Sequence, residues 1–211
     1  MRPPVPGWAA HLLGLPGAVS FRRYLPIVRD ANALEDRMRA LDADGLRSEA
    51  AALYLRTGEK RLHREATARY LAVAREAAHR TVGLRAFDEQ LLGCCALLSG
   101  HAVEMDTGEG KTLVGALAAA GFAVAGRRVH VISVNDYLAE RDAAWMGPFF
   151  DLLDVNVGWI GQHTSHEDRR TAYARDVVYA PVSEIGFDVL RDRFTVTKQE
   201  RVAPVFDVAI V

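Results

Sequence analysis

Apolar positions change their spacing near residue 100 of this 211-residue chain. Before that point they recur every three or four residues. Leu34, Met38 and Leu41 follow an Asn32–Glu35 pair that reads as a helix start, with a side-chain oxygen capping free N–H groups. Leu46 to Tyr54 predicts a second helix, ended near Gly58. Ala66, Tyr70, Val73, Ala74 and Ala77 mark a third, with Arg and Glu on its other face, and Phe87 to Leu98 a fourth. Residues 1–30 are punctuated by Pro and Gly and read as irregular, so 31–100 is a helical region.

After residue 100 the pattern shortens. Runs rich in Val and Ile at 129–134, 155–160, 176–180 and 205–211 have the length of strands. Helical patterns at 113–125, 136–153, 165–174 and 184–193 separate them, with Asp136 and Ser183 as expected caps. Ala102–Met105 supplies one more short strand, ahead of a Gly-rich loop. This alternation over 101–211 predicts an α/β fold, a parallel sheet with helices on both faces. Such sheets bind ligands at the carboxyl ends of their strands.

The loop is the chemical centre of the sequence. Thr107-Gly108-Glu109-Gly110-Lys111-Thr112 has the composition of a phosphate-binding loop. Gly108 and Gly110 permit positive φ and let backbone N–H groups turn toward an anion. Lys111 can reach β- and γ-phosphates, and the Thr112 hydroxyl can ligate Mg²⁺. A helix beginning here adds its positive dipole end. The place of the first Gly of the usual eight-residue pattern is taken by Met105, so the looser T-G-x-G-K-T form applies. Lys occurs only at 60, 111 and 198, against 23 Arg. A Lys here, in a chain that otherwise prefers Arg, points to a need for a compact ammonium.

Composition narrows the classes. Apolar residues make up 50% and charged residues 25%, as in soluble globular proteins. Net charge is −1, which gives no bulk attraction to nucleic acid. The halves differ. Residues 1–85 carry 15 Lys and Arg against 9 Asp and Glu; residues 86–211 carry 11 against 18. The basic half is either a set of solvated Arg-rich helix faces or a surface for an acidic partner or lipid headgroups. Cys94 and Cys95 are adjacent, without metal-site spacing, and read as buried reduced thiols of a cytoplasmic protein. The seven His show no metal spacing. Trp8, Leu12, Leu13 and Leu15 read as a frayed or docked terminus.

Three further segments identify a resemblance. Phe87-Asp88-Glu89-Gln90-Leu91-Leu92-Gly93 precedes the loop, Val134-Asn135-Asp136-Tyr137-Leu138-Ala139-Glu140-Arg141-Asp142 follows it, and Gly186-Phe187-Asp188-Val189-Leu190-Arg191-Asp192 comes later. With Glu104–Thr112 they resemble the SecA family, the motor ATPase of bacterial protein export. The spellings Glu-Met-Asp-Thr-Gly-Glu-Gly, Gly158-Trp159-Ile160 and Ser183-Glu184-Ile185-Gly186 are most similar to the accessory, second SecA of actinobacteria. The resemblance runs from about residue 30 to the end.

That resemblance implies a RecA-like P-loop NTPase domain, incomplete within 101–211, and ATP with Mg²⁺ as cofactors. Gln90 falls on the family's adenine-reading glutamine, whose amide offers a donor and an acceptor side by side; the bland reading is a polar residue on an exposed helix face. Gly108, Glu109, Gly110, Lys111 and Thr112 fall on its phosphate loop, with Lys111 and Thr112 in catalytic roles and Thr112 on the metal. Arg141 falls on an arginine near the nucleotide cleft, or simply pairs with Asp142 or Glu140 along its helix. Asp188, Arg191 and Asp192 either line the motor domain or brace it. Implied partners are preproteins and a membrane channel of the SecYEG type. An anionic membrane surface and a homodimer of the intact protein are also implied, with location at the inner face of the cell membrane and no nucleic acid. The segment Phe206–Val211 resembles the strand that leads into the family's Asp-Glu metal site, which the 211 residues do not include. Poor hydrolysis by these residues alone is therefore expected. The alternatives are a helicase-like ATPase acting on nucleic acid, disfavoured by the acidic 86–211 region, and a nucleotide-binding module that does not hydrolyse.

Overall fold

A computed structural model describes residues 20–53, 62–195, 197 and 200–211. Trp8, Leu12, Leu13, Leu15, Tyr54 and Gly58 lie outside them. The helical region begins earlier than the sequence predicts. A 3₁₀ turn at Phe21–Arg23 leads into helix α1, Leu25–Ala33. Pro26 sits in the first turn of α1, where a missing N–H costs nothing; the Pro that suggested irregular chain instead starts a helix. Asn32 is consequently in the last turn of α1 and caps nothing. Helix α2 spans Glu35–Ala40 and α3 Ala43–Ala51, the latter capped by Asp42 through the Gly45 N–H at 2.8 Å.

Helix α4, Arg64–Val82, is the hub of this half. Ala68, Tyr70, Leu71, Ala72, Val73, Ala74, Ala77 and Ala78 are all buried. The many alanines let α1, α2 and α3 approach on one side, while α7 of the sheet region (below) packs against the same helix. The next helix, α5, spans Asp88–Leu98, and α6 spans Lys111–Val124. The Tyr70 hydroxyl donates to the Leu117 carbonyl, tying α4 to α6. Cys94 and Cys95 are buried free thiols on α5, and burial pushes the Cys95 thiol up to about 12, so neither geometry nor acidity suits reaction.

Four strands follow, β1 Val129–Ser133, β2 Val157–Trp159, β3 Val177–Pro181 and β4 Val208–Ile210. They form one parallel sheet in the order β2-β3-β1-β4, with Val129 level with both Val177 and Val208. Between them run α7 Asp136–Leu152, α8 His166–Tyr173 and α9 Val182–Phe194. Alternate residues of β3 face opposite ways, as the two-residue period requires. Val177 and Tyr179 join the main core with α6 and α7, and Val178 and Ala180 pack with Ala172, Tyr173 and Ile185 of α8 and α9. Helices thus cover both faces, as the alternation predicts.

Three details differ from that prediction. Ala102–Met105 forms no ladder. Its place is separated from β4 by a cavity of about 490 Å³ lined by Gly100, His101 and Ala102 on one side and Val208–Val211 on the other, so it lacks a neighbouring strand. Asn135, not Asp136, caps α7, accepting from Leu138 N at 2.9 Å. Asp136 instead accepts from Gln162 N at 2.7 Å. Ser183 falls inside α9, which starts at Pro181 without a side-chain cap.

His130, in the central strand, is 2% exposed and lies between the rings of Phe206, 4.8 Å away, and Tyr173, 5.9 Å away. Neither ring nitrogen finds a hydrogen-bond partner among the described residues. Burial holds its pKa below the ordinary histidine value, and Arg128 adds to this while the Val208 backbone opposes it. The unfolded chain takes up this proton first as pH falls, so the stabilisation is present above the unfolded value of about 6.5 and is lost below it. Stability measured by urea midpoint is expected to fall between pH 7 and 5, and His130→Phe is expected to flatten that slope. A slope unchanged by the substitution would place the acid sensitivity elsewhere.

Candidate functional site

Helix α6 ends shortly before β1 begins and packs back along β1, β3 and β4. Its first turn therefore lies toward the carboxyl ends of the strands, where parallel α/β sheets bind ligands. The loop of residues 106–110 feeds this turn. Gly108 and Gly110 have φ of +92° and +80°, the left-handed region that other residues enter at a cost of about 1–2 kcal/mol. Gly110 occupies the position before α6 and provides no side-chain cap. The N–H groups of the first turn are left for an external acceptor, the arrangement that binds anions at helix starts.

The loop closes on itself. Glu109 N donates to Asp106 O at 3.3 Å, and Asp106 N donates to Glu109 Oε2 at 2.9 Å. Lys111 Nζ donates to Asp106 O at 3.0 Å, so the ammonium spans the loop. Residues 106–109 and Lys111 are exposed, and Thr112 is half-buried at the second position of α6.

Gln90, on the first turn of α5, meets this loop directly. Its Nε2 donates to Glu109 O at 2.7 Å, and its Oε1 accepts from Phe87 N at 2.9 Å. A Cβ at Gly110 would overlap the end of the Gln90 side chain and displace its amide, so glycine there preserves the Gln90 contact as well as permitting the positive φ. A primary amide has two N–H donors and two acceptor lone pairs. Each function uses one within the chain and keeps one for a ligand edge.

The structure brings together Gln90, Gly108, Glu109, Gly110, Lys111 and Thr112. Arg141 makes no hydrogen bond to the loop among the described residues. It lies on α7 and pairs with its neighbour Asp142, with Nε at 2.9 Å and Nη2 at 2.6 Å from Oδ1. Asp188 and Asp192 stand on the far face of the sheet. Asp188 is fully buried and accepts from Arg169 Nη1 (2.9 Å), Tyr173 Oη (2.9 Å) and Arg191 Nη2 (2.8 Å). Arg169 also reaches Glu184 at 2.6 Å and the Gly161 carbonyl at 2.8 Å. Asp192 accepts from Val202 N and Ala203 N, which fixes the chain entering β4. These acids brace the fold. The exposed loop carbonyl of Asp106 was not singled out from sequence, nor was Arg169. A signal for Arg169 existed: it shares a helix face with Ala172 and Tyr173, three and four residues on.

Fold and loop together define a parallel α/β domain of the phosphate-loop NTPase class. Residues 10–211 match the SecA DEAD-like domain. The protein translocase subunit SecA 2 of Thermobifida fusca (strain YX) is 53% identical over 201 residues, covering 95% of this chain and 26% of that protein. The protein translocase subunit SecA of Mycobacterium avium (strain 104) is 49% identical over 201 residues, with the same coverage. The SecA 2 of Mycobacterium tuberculosis (strain ATCC 25618 / H37Rv) is 58% identical over 142 residues, or 67% of the chain and 18% of that protein. The chain belongs to the SecA family, in its DEAD-like ATPase domain. It spans about a quarter of the length of the first two of these relatives.

Proposed function

We propose that these residues are the ATP-binding portion of an accessory SecA-type translocase subunit, which couples ATP hydrolysis to the export of preproteins through a channel in the cytoplasmic membrane. The family match supports the motor class, and the naming of the relatives as protein translocase subunits supports the process. One observation carries the nucleotide reading: the Gln90 amide rests on the phosphate loop with one donor and one acceptor uncommitted. Adenine presents a complementary pair, the N6 amino group and N7. Guanine presents two acceptors there, O6 and N7, and mismatches the Gln90 acceptor.

In this reading the α6 amides and Lys111 take up phosphate charge. Hydrolysis of such a phosphoanhydride depends mainly on positioning and electrostatics. Mg²⁺ fits as an ion brought by the nucleotide, because it keeps several waters and takes few protein ligands. The Thr112 hydroxyl, next to Lys111 in the first turn of α6, is the protein group expected to hold it. Among the described residues no group of three or more His, Cys, Asp or Glu is placed to hold a metal. A motor that works at a membrane through a separate channel needs no span of its own in this part, and no described helix is long and apolar enough to cross a bilayer.

The test is nucleobase discrimination. Gln90→Ala is expected to reduce the preference for ADP over GDP by about 10- to 100-fold, the worth of two hydrogen bonds, measured by competition for one fluorescent nucleotide. A preference that survives the substitution contradicts the assignment of Gln90. Stimulation of ATPase activity by RNA or DNA, rather than by membranes with preprotein, would favour the helicase reading.

A further inference from the structure

Gln90 is held by more than its own helix. The residues around it at the start of α5, Phe87, Asp88 and Glu89, are exposed between the buried Ala86 and Leu91, so apolar packing leaves the outer face of that turn without support. Polar side chains from two other helices do. Asp88 Oδ1 accepts from Arg75 Nη2 at 3.0 Å, and Oδ2 accepts from Asn32 Nδ2 at 2.9 Å. Arg75, in the middle of α4, is 3% exposed. Its Nη1 donates to Asn32 Oδ1 at 2.7 Å and to Glu35 Oε2 at 3.3 Å. Asn32, Arg75 and Asp88 therefore close a three-membered ring of hydrogen bonds across α1, α4 and α5.

A buried guanidinium is a poor way to gain stability. Desolvation offsets much of the attraction, and a well-packed apolar group serves as well or better. What the junction does provide is geometry. It fixes the rotation and depth of the α5 start relative to α1 and α4, two residues before the amide that touches Glu109 and Gly110.

We propose that Arg75, Asp88 and Asn32 form a positioning unit for the nucleobase subsite, through which the N-terminal helices set the placement of Gln90 on the phosphate loop. This rests on the reading of Gln90 given above. The three residues do not touch the nucleotide. They act through Gln90, so their effect belongs to base binding and not to phosphate binding. A displacement of α1 against α4 breaks the ring and loosens Gln90.

The test uses the 211-residue chain and calorimetric titration with ADP and with pyrophosphate, each with Mg²⁺. Asp88→Ala is expected to weaken ADP about fivefold to tenfold, one to two hydrogen bonds' worth, while pyrophosphate affinity stays within about twofold. In the Gln90→Ala background, Asp88→Ala is expected to add nothing, because residues that act as one unit are not additive. Asp88→Asn, which keeps an acceptor for Arg75 but turns an amide N–H toward Asn32 Nδ2, is expected to restore part of the ADP affinity, and it serves if the Ala variant folds poorly. Equal losses for ADP and pyrophosphate, or full additivity with Gln90→Ala, overturn the positioning role and leave the reading of Gln90 intact. If Gln90→Ala itself leaves ADP affinity unchanged, the reading fails and the positioning role with it.

Discussion

Lys111→Ala is expected to weaken ADP binding by about 10- to 100-fold, the range set by losing a charge-assisted contact of about 1.5–3 kcal/mol. The melting temperature is expected to stay level. Lys111 is exposed and its bond within the chain is one contact to the Asp106 carbonyl, so removing it opens no cavity and strands no buried charge. Lys111→Arg is expected to restore only part of the affinity. The guanidinium is planar and wider, and the space over the loop is already shared by the Gln90 amide at Gly110. Calorimetry checks both variants. The same 211 residues are expected to turn over ATP poorly. Robust turnover that Lys111→Ala abolishes would mean that the hydrolytic groups lie within this chain.

The second large effect is on stability. Asp188→Ala is expected to cost about 3–5 kcal/mol, the usual result of removing one partner from a buried ionic network. For a chain of this size that lowers the melting temperature by on the order of 10 °C. Arg169 and the Tyr173 hydroxyl both lose their shared acceptor; Arg169 keeps Glu184 and the Gly161 carbonyl, but its Nη1 loses Asp188 in a side chain that is only 5% exposed. Burial, the largest cause holding the Tyr173 phenol above its usual range, remains in the variant, so the phenol stays neutral and does not compensate. Thermal unfolding followed by circular dichroism measures the effect. A change below about 1 kcal/mol, the range of an exposed ion pair, would mean that Asp188 is not the hub that its contacts indicate. Nucleotide affinity of any folded fraction is expected to be unaltered, which separates this far-face brace from the loop.

The difference between these two residues was only partly legible in the sequence. Lys111 was legible because phosphate chemistry constrains local spacing: two glycines, an ammonium and a hydroxyl within six residues. For Asp188 the sequence left lining and bracing both open, because its partners Arg169 and Tyr173 sit on another helix, and the face that Arg169 shares with Ala172 and Tyr173 does not say which acid it meets. The strand order had the same limit. Val-rich runs announced four strands, yet the order β2-β3-β1-β4 depends on crossovers that local pattern does not encode. Ala102–Met105 has the composition of a strand but lacks a neighbour, so propensity there was overruled by context. Pro26 misled for the opposite reason. A proline breaks a helix in its interior and is welcome in its first turn, and composition alone does not say which position it holds. Arg141 carried both readings in the sequence, and its exposed pairing with Asp142 is compatible with each.

Gln90 shows how site and fold are joined. Its place before the loop was readable as a motif. Its use of exactly half of its hydrogen-bonding capacity within the chain needed coordinates, because one contact goes to Glu109, 19 residues away. In the proposed reading, that contact joins the base subsite to the phosphate loop.

The most direct measurement is a crystal structure of the chain with ADP and Mg²⁺. The account predicts the β-phosphate within hydrogen-bonding distance of the Gly110, Lys111 and Thr112 amides, with Lys111 Nζ on a phosphate oxygen and the adenine N6 and N7 edge against the Gln90 amide. Phosphates bound away from the loop, or an adenine whose edge does not meet Gln90, would contradict it.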